Sequence, residues 1–189
     1  GDRDSSGIYT NGDSISPGVT PGDTGVMFST GDLRGFTNNN FFQSNQSAST
    51  TTSSSGPNGV NDFDNAAGSR TFDASYLDVD FIPTGDVMTM QFVFASEEYP
   101  EFATGAFQDF FGVWVNGNFV PLSIGDGDID PNNLNAGSNG NLFIDNTADQ
   151  FNTEMDGFTA TLTLTMPVNA DEVNSIRIGI ADVTDSNYD

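Results

Sequence analysis

Between Phe158 and Met166 the chain alternates strictly, with Phe158, Ala160, Leu162, Leu164 and Met166 separated by Thr159, Thr161, Thr163 and Thr165. A period of two puts one set on each face of an extended strand, so the segment suits a sheet with one buried and one wet face. The pattern returns in Ser75 to Phe81, where Leu77, Val79 and Phe81 oppose Tyr76, Asp78 and Asp80. It returns again in Val87 to Ala95, with Met88, Met90, Phe92 and Phe94 as the inward row, and in Ile176, Ile178 and Ile180. Phe110 to Val115 is apolar on both faces and belongs in the middle of a sheet. No segment carries a helical stripe, and Thr104 to Gln108 is expected to make one turn at most. Strands spaced by turn-rich loops predict an all-β chain, a two-sheet antiparallel β-sandwich of jelly-roll type with long loops.

Composition narrows the chemistry. The 189 residues suffice for one domain with one core. There is no cysteine and no histidine, which removes Cys nucleophiles, the Ser-His-Asp triad, structural zinc and the two-histidine iron site. Twenty-seven acids face four bases, all arginine, for a net charge of −23, so a phosphate-backbone partner is excluded. What remains is carboxylate chemistry, either a glycosidase acid pair or hard-cation binding through Asp and Asn oxygens. Asp outnumbers Glu 22 to 5, a bias that suits turns and calcium loops. No apolar run approaches the length of a membrane span.

Residues 1 to 24 are rich in Gly, Asp, Ser and Pro and are expected to form an extended N-terminal arm, with the domain proper over 25–189. Asn38 to Ser55 is an Asn/Gln/Ser/Thr loop of low complexity in which Asn45-Gln-Ser47 matches the N-glycosylation triplet.

Three acidic clusters each flank a strand. Ser96-Glu97-Glu98-Tyr99-Pro100-Glu101 follows the strand ending at Ala95; Glu97 and Glu98 are both buried only if the chain turns there, and Pro100 gives it reason to. Gly125-Asp-Gly-Asp-Ile-Asp-Pro-Asn-Asn133 sets Asp126, Asp128 and Asp130 at alternate positions, like the first half of a calcium loop. It is not an EF-hand, since the sixth position is Pro131 and the twelfth Gly137. Asp182, Asp185 and Asp189 crowd the C-terminal segment, where Arg177 is the only nearby base and a divalent cation is the better counter-charge.

Four stretches, Thr71-Phe-Asp-Ala-Ser-Tyr-Leu-Asp-Val-Asp-Phe-Ile-Pro-Thr-Gly-Asp86, Phe92-Val-Phe-Ala-Ser-Glu-Glu-Tyr-Pro-Glu-Phe102, Phe107-Gln-Asp-Phe-Phe-Gly112 and Ile178-Gly-Ile-Ala-Asp-Val-Thr-Asp-Ser-Asn-Tyr-Asp189, resemble the choice-of-anchor L domain. Val26-Met-Phe-Ser-Thr-Gly31 and Gly56-Pro-Asn58 resemble its first strand and loop, so the likeness runs over roughly residues 25 to 189. It implies a bacterial extracellular or surface-attached domain without established enzymatic activity. Family members continue past the Tyr-Asp pair with a short apolar strand, and such a position is open to a strand from a neighbouring subunit.

The expected function is an extracellular structural or adhesive subunit of a filament or matrix, stabilised by Ca2+ at Glu97, Glu98, Asp182, Asp185, Asp189, Asp126, Asp128 and Asp130. Head-to-tail self-association through Ile8, Tyr9 and Ile15 of the arm is expected with it. The alternative is a carbohydrate-binding module with Trp114, Tyr76, Tyr99 and Tyr188 as stacking platforms, glycans then being the partner.

Overall fold

The computed structural model describes residues 4–37, 49–52 and 54–187. Its strands are β1 (Ser6–Thr10), β2 (Thr24–Phe28), β3 (Thr71–Phe81), β4 (Val87–Phe92), β5 (Ala95–Ser96), β6 (Gln108–Val115), β7 (Asn118–Phe119), β8 (Phe143–Asp145), β9 (Gly157–Thr159), β10 (Leu162–Pro167) and β11 (Asn174–Val183). Two short α-helices, α1 (Gly12–Ile15) and α2 (Asn61–Ala67), and a 3-10 turn at Leu33–Gly35 complete the elements among the described residues. All pairings are antiparallel, and the strands form four separate sheets ordered β1-β2, β10-β4, β3-β11-β6-β7 and β5-β9-β8.

The expected alternation sets the layers. One hydrophobic cluster joins Val113, Val115 and Ile176 of the four-stranded sheet to Phe92, Leu162, Leu164 and Met166 of the β4–β10 pair. Thr163 and Thr165 stay exposed while Leu162, Leu164 and Met166 are buried. β6 lies inside its sheet, between β11 and β7, as its two-faced apolar run requires. Its turn into β7 uses Asn116 and Gly117 at φ 51° and 77°, the backbone that a two-residue hairpin demands.

Burial fails at one margin. Leu77 and Val79 pair with Ile178 and Ile176 and share their face, yet are 44% and 40% exposed. The β4–β10 pair covers the β6 side of that face and leaves the β3 side open. Thr104 to Gln108 makes no helix, since Gln108 already begins β6. The helix that does form, α2, has acids Asp62 and Asp64 in its first turn and ends on Gly68 at φ 68°. It covers the opposite face of the four-stranded sheet, where Phe63 packs edge-on against Trp114 at 4.7 Å between ring centres.

Residues 4–24, expected as an extended arm, lie against their own chain. β1 pairs with β2, the Ser75 hydroxyl donates to Ser5 O, and Ser16 Oγ and Asn152 Nδ2 donate to Asn152 O and Ile15 O respectively. Ile8 is 81% exposed, whereas Tyr9 and Ile15 are half-buried.

Loops are held by buried asparagines. Asn174 Oδ1 accepts from Asn169 N and Asn116 Nδ2, and its Nδ2 donates to Asn169 O and Glu172 O. Asn174→Ala orphans these groups, each at a cost of about 1–3 kcal/mol. The variant is expected to lose about 3 kcal/mol in urea unfolding; exposed Asn118→Ala is expected to lose under about 0.5 kcal/mol.

Candidate carboxylate site

The segment after β5 turns at once. Residues 97–104 form a run of turns, the Tyr99–Pro100 peptide is cis, and Phe102 N donates to Glu98 O at 2.9 Å. That turn allows adjacent glutamates to be buried together, and Glu97 is 1% and Glu98 2% exposed. Beside them β6 begins with Asp109, 1% exposed, directly paired in register with Asp182 of β11, 2% exposed. A register shift between Ile180 and Asp182 marks a bulge at this end of β11 on its β3 side. Ser96 ties the two segments, donating its hydroxyl to Asp109 Oδ2 and accepting Glu98 N at 2.9 Å.

The buried acids Glu98, Asp109 and Asp182 thus come together at one end of the four-stranded sheet, with buried Glu97 next to Glu98 in the chain and half-buried Asp185 near enough to act on the Glu98 charge. Burial first, then Asp109 and Asp185, pushes the Glu98 carboxyl up to about 9. Its Oε2 is buried without a hydrogen-bond partner. Arg177 grips Asp78 through Nε and Nη2 at 2.7 and 2.8 Å and reaches Asp62 through Nη1, all toward α2. Among the described residues no three carboxylates already converge as a finished ligand set, so an ion would have to draw these side chains inward. The donor chemistry suits a hard cation, with carboxylate oxygens and no nitrogen or sulfur ligand.

The other acidic loop is built differently. Asp126 Oδ1 accepts Asp128 N, and Asp130 Oδ1 accepts Asn133 N. The Asn133 amide donates to Ile124 O and Asp128 O, and the Asn135 amide to Ala103 O, Pro131 O and Asn132 O. Side-chain amides therefore collect the carbonyls that a loop ion would otherwise gather. Burial is the main cause that pushes the Asp130 carboxyl up to about 6, with Asn133 N opposing it. Asp189 and Asn45 lie outside the described residues.

The aromatic platforms are mostly closed. Tyr99 is fully buried, Trp114 is 5% exposed, and the ring face of Tyr76 carries the Arg177 guanidinium at 4.7 Å; Tyr188 lies outside the described residues. Sequence reasoning did not single out Asp109 or Ser96. The one signal available was an acid opening an apolar strand, in Gln108-Asp-Phe-Phe.

Among the described residues no helix is long and apolar enough to cross a membrane. The family model described as Choice-of-anchor L domain matches residues 2–189. No curated protein and no solved structure gives a significant match.

Proposed function

The chain belongs to the choice-of-anchor L domain family, which places it among surface-associated bacterial proteins, and on that premise we propose that it is a calcium-stabilised structural module, a subunit of a surface filament or adhesive matrix without catalytic activity. The observation that carries the calcium reading is the buried Glu98 Oε2, which has no hydrogen-bond partner and lies beside the buried acids Asp109 and Asp182. Glu97, Glu98, Asp109, Asp182 and Asp185 would hold the ion, which supplies the counter-charge that buried carboxylates need. Calcium tolerates irregular oxygen shells, whereas magnesium demands a strict octahedron and dehydrates reluctantly, so calcium is the expected ion. The facing β4–β10 and β3-β11-β6-β7 sheets are read as the two halves of a jelly-roll-type sandwich.

Calorimetric titration tests the site. Glu98→Gln and Asp182→Asn are each expected to weaken calcium binding at least about tenfold, with the double variant losing less than the sum if they serve one ion. Additive losses would assign them to separate sites, and unchanged affinity in both would reject the site.

Self-association is supported by the apolar margin. Leu77 and Val79 of β3, Ile82 just after it and Val87 of β4 are exposed, and among the described residues β4 pairs only with β10, with no strand on its other backbone edge. Ile8, on the hairpin, offers an apolar side chain for a neighbour's margin, an arrangement that is head-to-tail by construction. The double variant Leu77→Asp, Val79→Asp is expected to convert assemblies to monomers by light scattering. A wild-type chain that is monomeric at millimolar concentration in calcium would end the filament reading and leave the calcium site standing.

A further inference from the structure

Between the N-terminal hairpin and the body lies a cavity of about 360 Å3. Phe111, Ile178 and Ile180 line it from the four-stranded sheet, Met27 from β2, and Met90 and Phe92 from β4. Its size falls within the ~300–1,000 Å3 of small-molecule sites, and walls of this kind give water few partners. Thr30 also lines it; the residue is 2% exposed, and its Oγ1 has no hydrogen-bond partner. A buried hydroxyl left unpaired costs free energy that the polar group of a bound molecule recovers. Among the described lining residues Asp32 is the one charged side chain and no arginine occurs, so the site disfavours anions.

We propose that this cavity binds a small uncharged amphipathic molecule, an aliphatic or aromatic body with one hydroxyl-type group, and that Thr30 Oγ1 is the hydrogen-bond partner of that group. The charge argument separates an alcohol from the corresponding carboxylate. The Thr30 argument separates an alcohol from a hydrocarbon. The site is independent of the carboxylate cluster and of assembly through the β3 margin, so its failure would leave both readings untouched.

Titration of the whole chain with pyrene, a hydrocarbon fluorophore, is expected to show saturable one-to-one binding. Displacement by 1-decanol is expected at least about tenfold more readily than by decanoate at pH 8. Thr30→Val retains the shape of the side chain and is expected to weaken decanol about tenfold, the equivalent of one lost hydrogen bond, while pyrene binds as before. Ile180→Trp and Met27→Trp fill the cavity from opposite walls and are each expected to abolish pyrene binding; if neither folds by circular dichroism, the Thr30→Val comparison decides. Absence of saturable binding, equal displacement by decanol and decanoate, or pyrene binding that survives in a folded Trp variant would overturn the proposal. Exclusion of pyrene together with a doubled mass in light scattering would also overturn it, by showing that a second copy fills the space.

Discussion

In the presence of chelator, the melting temperature of this domain is expected to fall as pH rises from 5 to 9, and calcium is expected to cancel most of that fall. Glu98 in the folded chain titrates near 9, well above its ordinary 4.5, because burial and the neighbouring Asp109 and Asp185 oppose its charge. Between those two values the folded state holds a proton that the unfolded state has released. Stability from this group is therefore complete below about 4.5 and is lost as pH rises toward 9, at up to about 1.4 kcal/mol per pH unit. For a domain of this size that slope amounts to roughly 3–5 °C per unit. Calcium takes the place of the proton and binds more strongly as pH rises. At pH 8, calcium at a hundred times its dissociation constant adds about 2.7 kcal/mol, or roughly 5–10 °C. Glu98→Gln should flatten the chelator curve. A wild-type melting temperature that is flat from pH 5 to 9 in chelator contradicts the buried state of Glu98; identical curves in calcium and chelator at pH 8 contradict the metal.

Gly179→Val is expected to prevent folding at 37 °C, and Gly179→Ala to cost about 3 kcal/mol or more, the upper end of overpacking penalties. Gly179 sits in β11 with Tyr76 on one side and Gly112 on the other. A Cβ there would stand 2.4 Å from Ser75 O and 2.4 Å from Tyr76 Cβ. The backbone oxygen is held in the sheet and cannot give way. At Gly112 the nearest obstacle is the Trp114 ring, 2.2 Å from an added Cβ. A side chain can turn aside where a backbone cannot, so Gly112→Ala should be the milder change. Urea unfolding of the three variants checks the order; a Gly179→Ala protein as stable as wild type would refute the packing account.

The strands were legible because period two survives in Leu162, Leu164 and Met166 and in Met88, Met90 and Phe92, whichever partners they meet. Sheet order was not, because register with a distant strand leaves no local trace; nothing in Leu77 or Val79 announces that the covering pair stops short of them. α2 escaped because seven residues span barely two turns, too few for a stripe, and Phe63 alone carries its burial. At the carboxylate corner, Glu97 and Glu98 showed themselves as an acidic pair on a strand end beside Pro100. Asp109 did not, since only the pairing of β6 with β11 brings it to Asp182. The Asp126 to Asp130 spacing suggested an ion loop, but spacing does not reveal that Asn133 and Asn135 donate their amides to the loop carbonyls.

Those amide clamps also determine how the molecule ages. A clamp such as Asn116, which accepts Ser175 N and donates to Asn174, is not worn out by salt or by mild acid, because it carries no charge to screen or titrate. It fails through hydrolysis of the amide. Asparagine becomes aspartate, two donors become lone pairs, and the Asn174 oxygen that it held faces a negative charge instead. Asn116 precedes Gly117, whose lack of a side chain lets its backbone nitrogen attack the Asn116 side-chain carbonyl and expel ammonia before water opens the ring. Asn11-Gly12, Asn58-Gly59 and Asn139-Gly140 share that pairing, so these turns, the β6–β7 turn among them, are where a long-lived copy of this protein records its age.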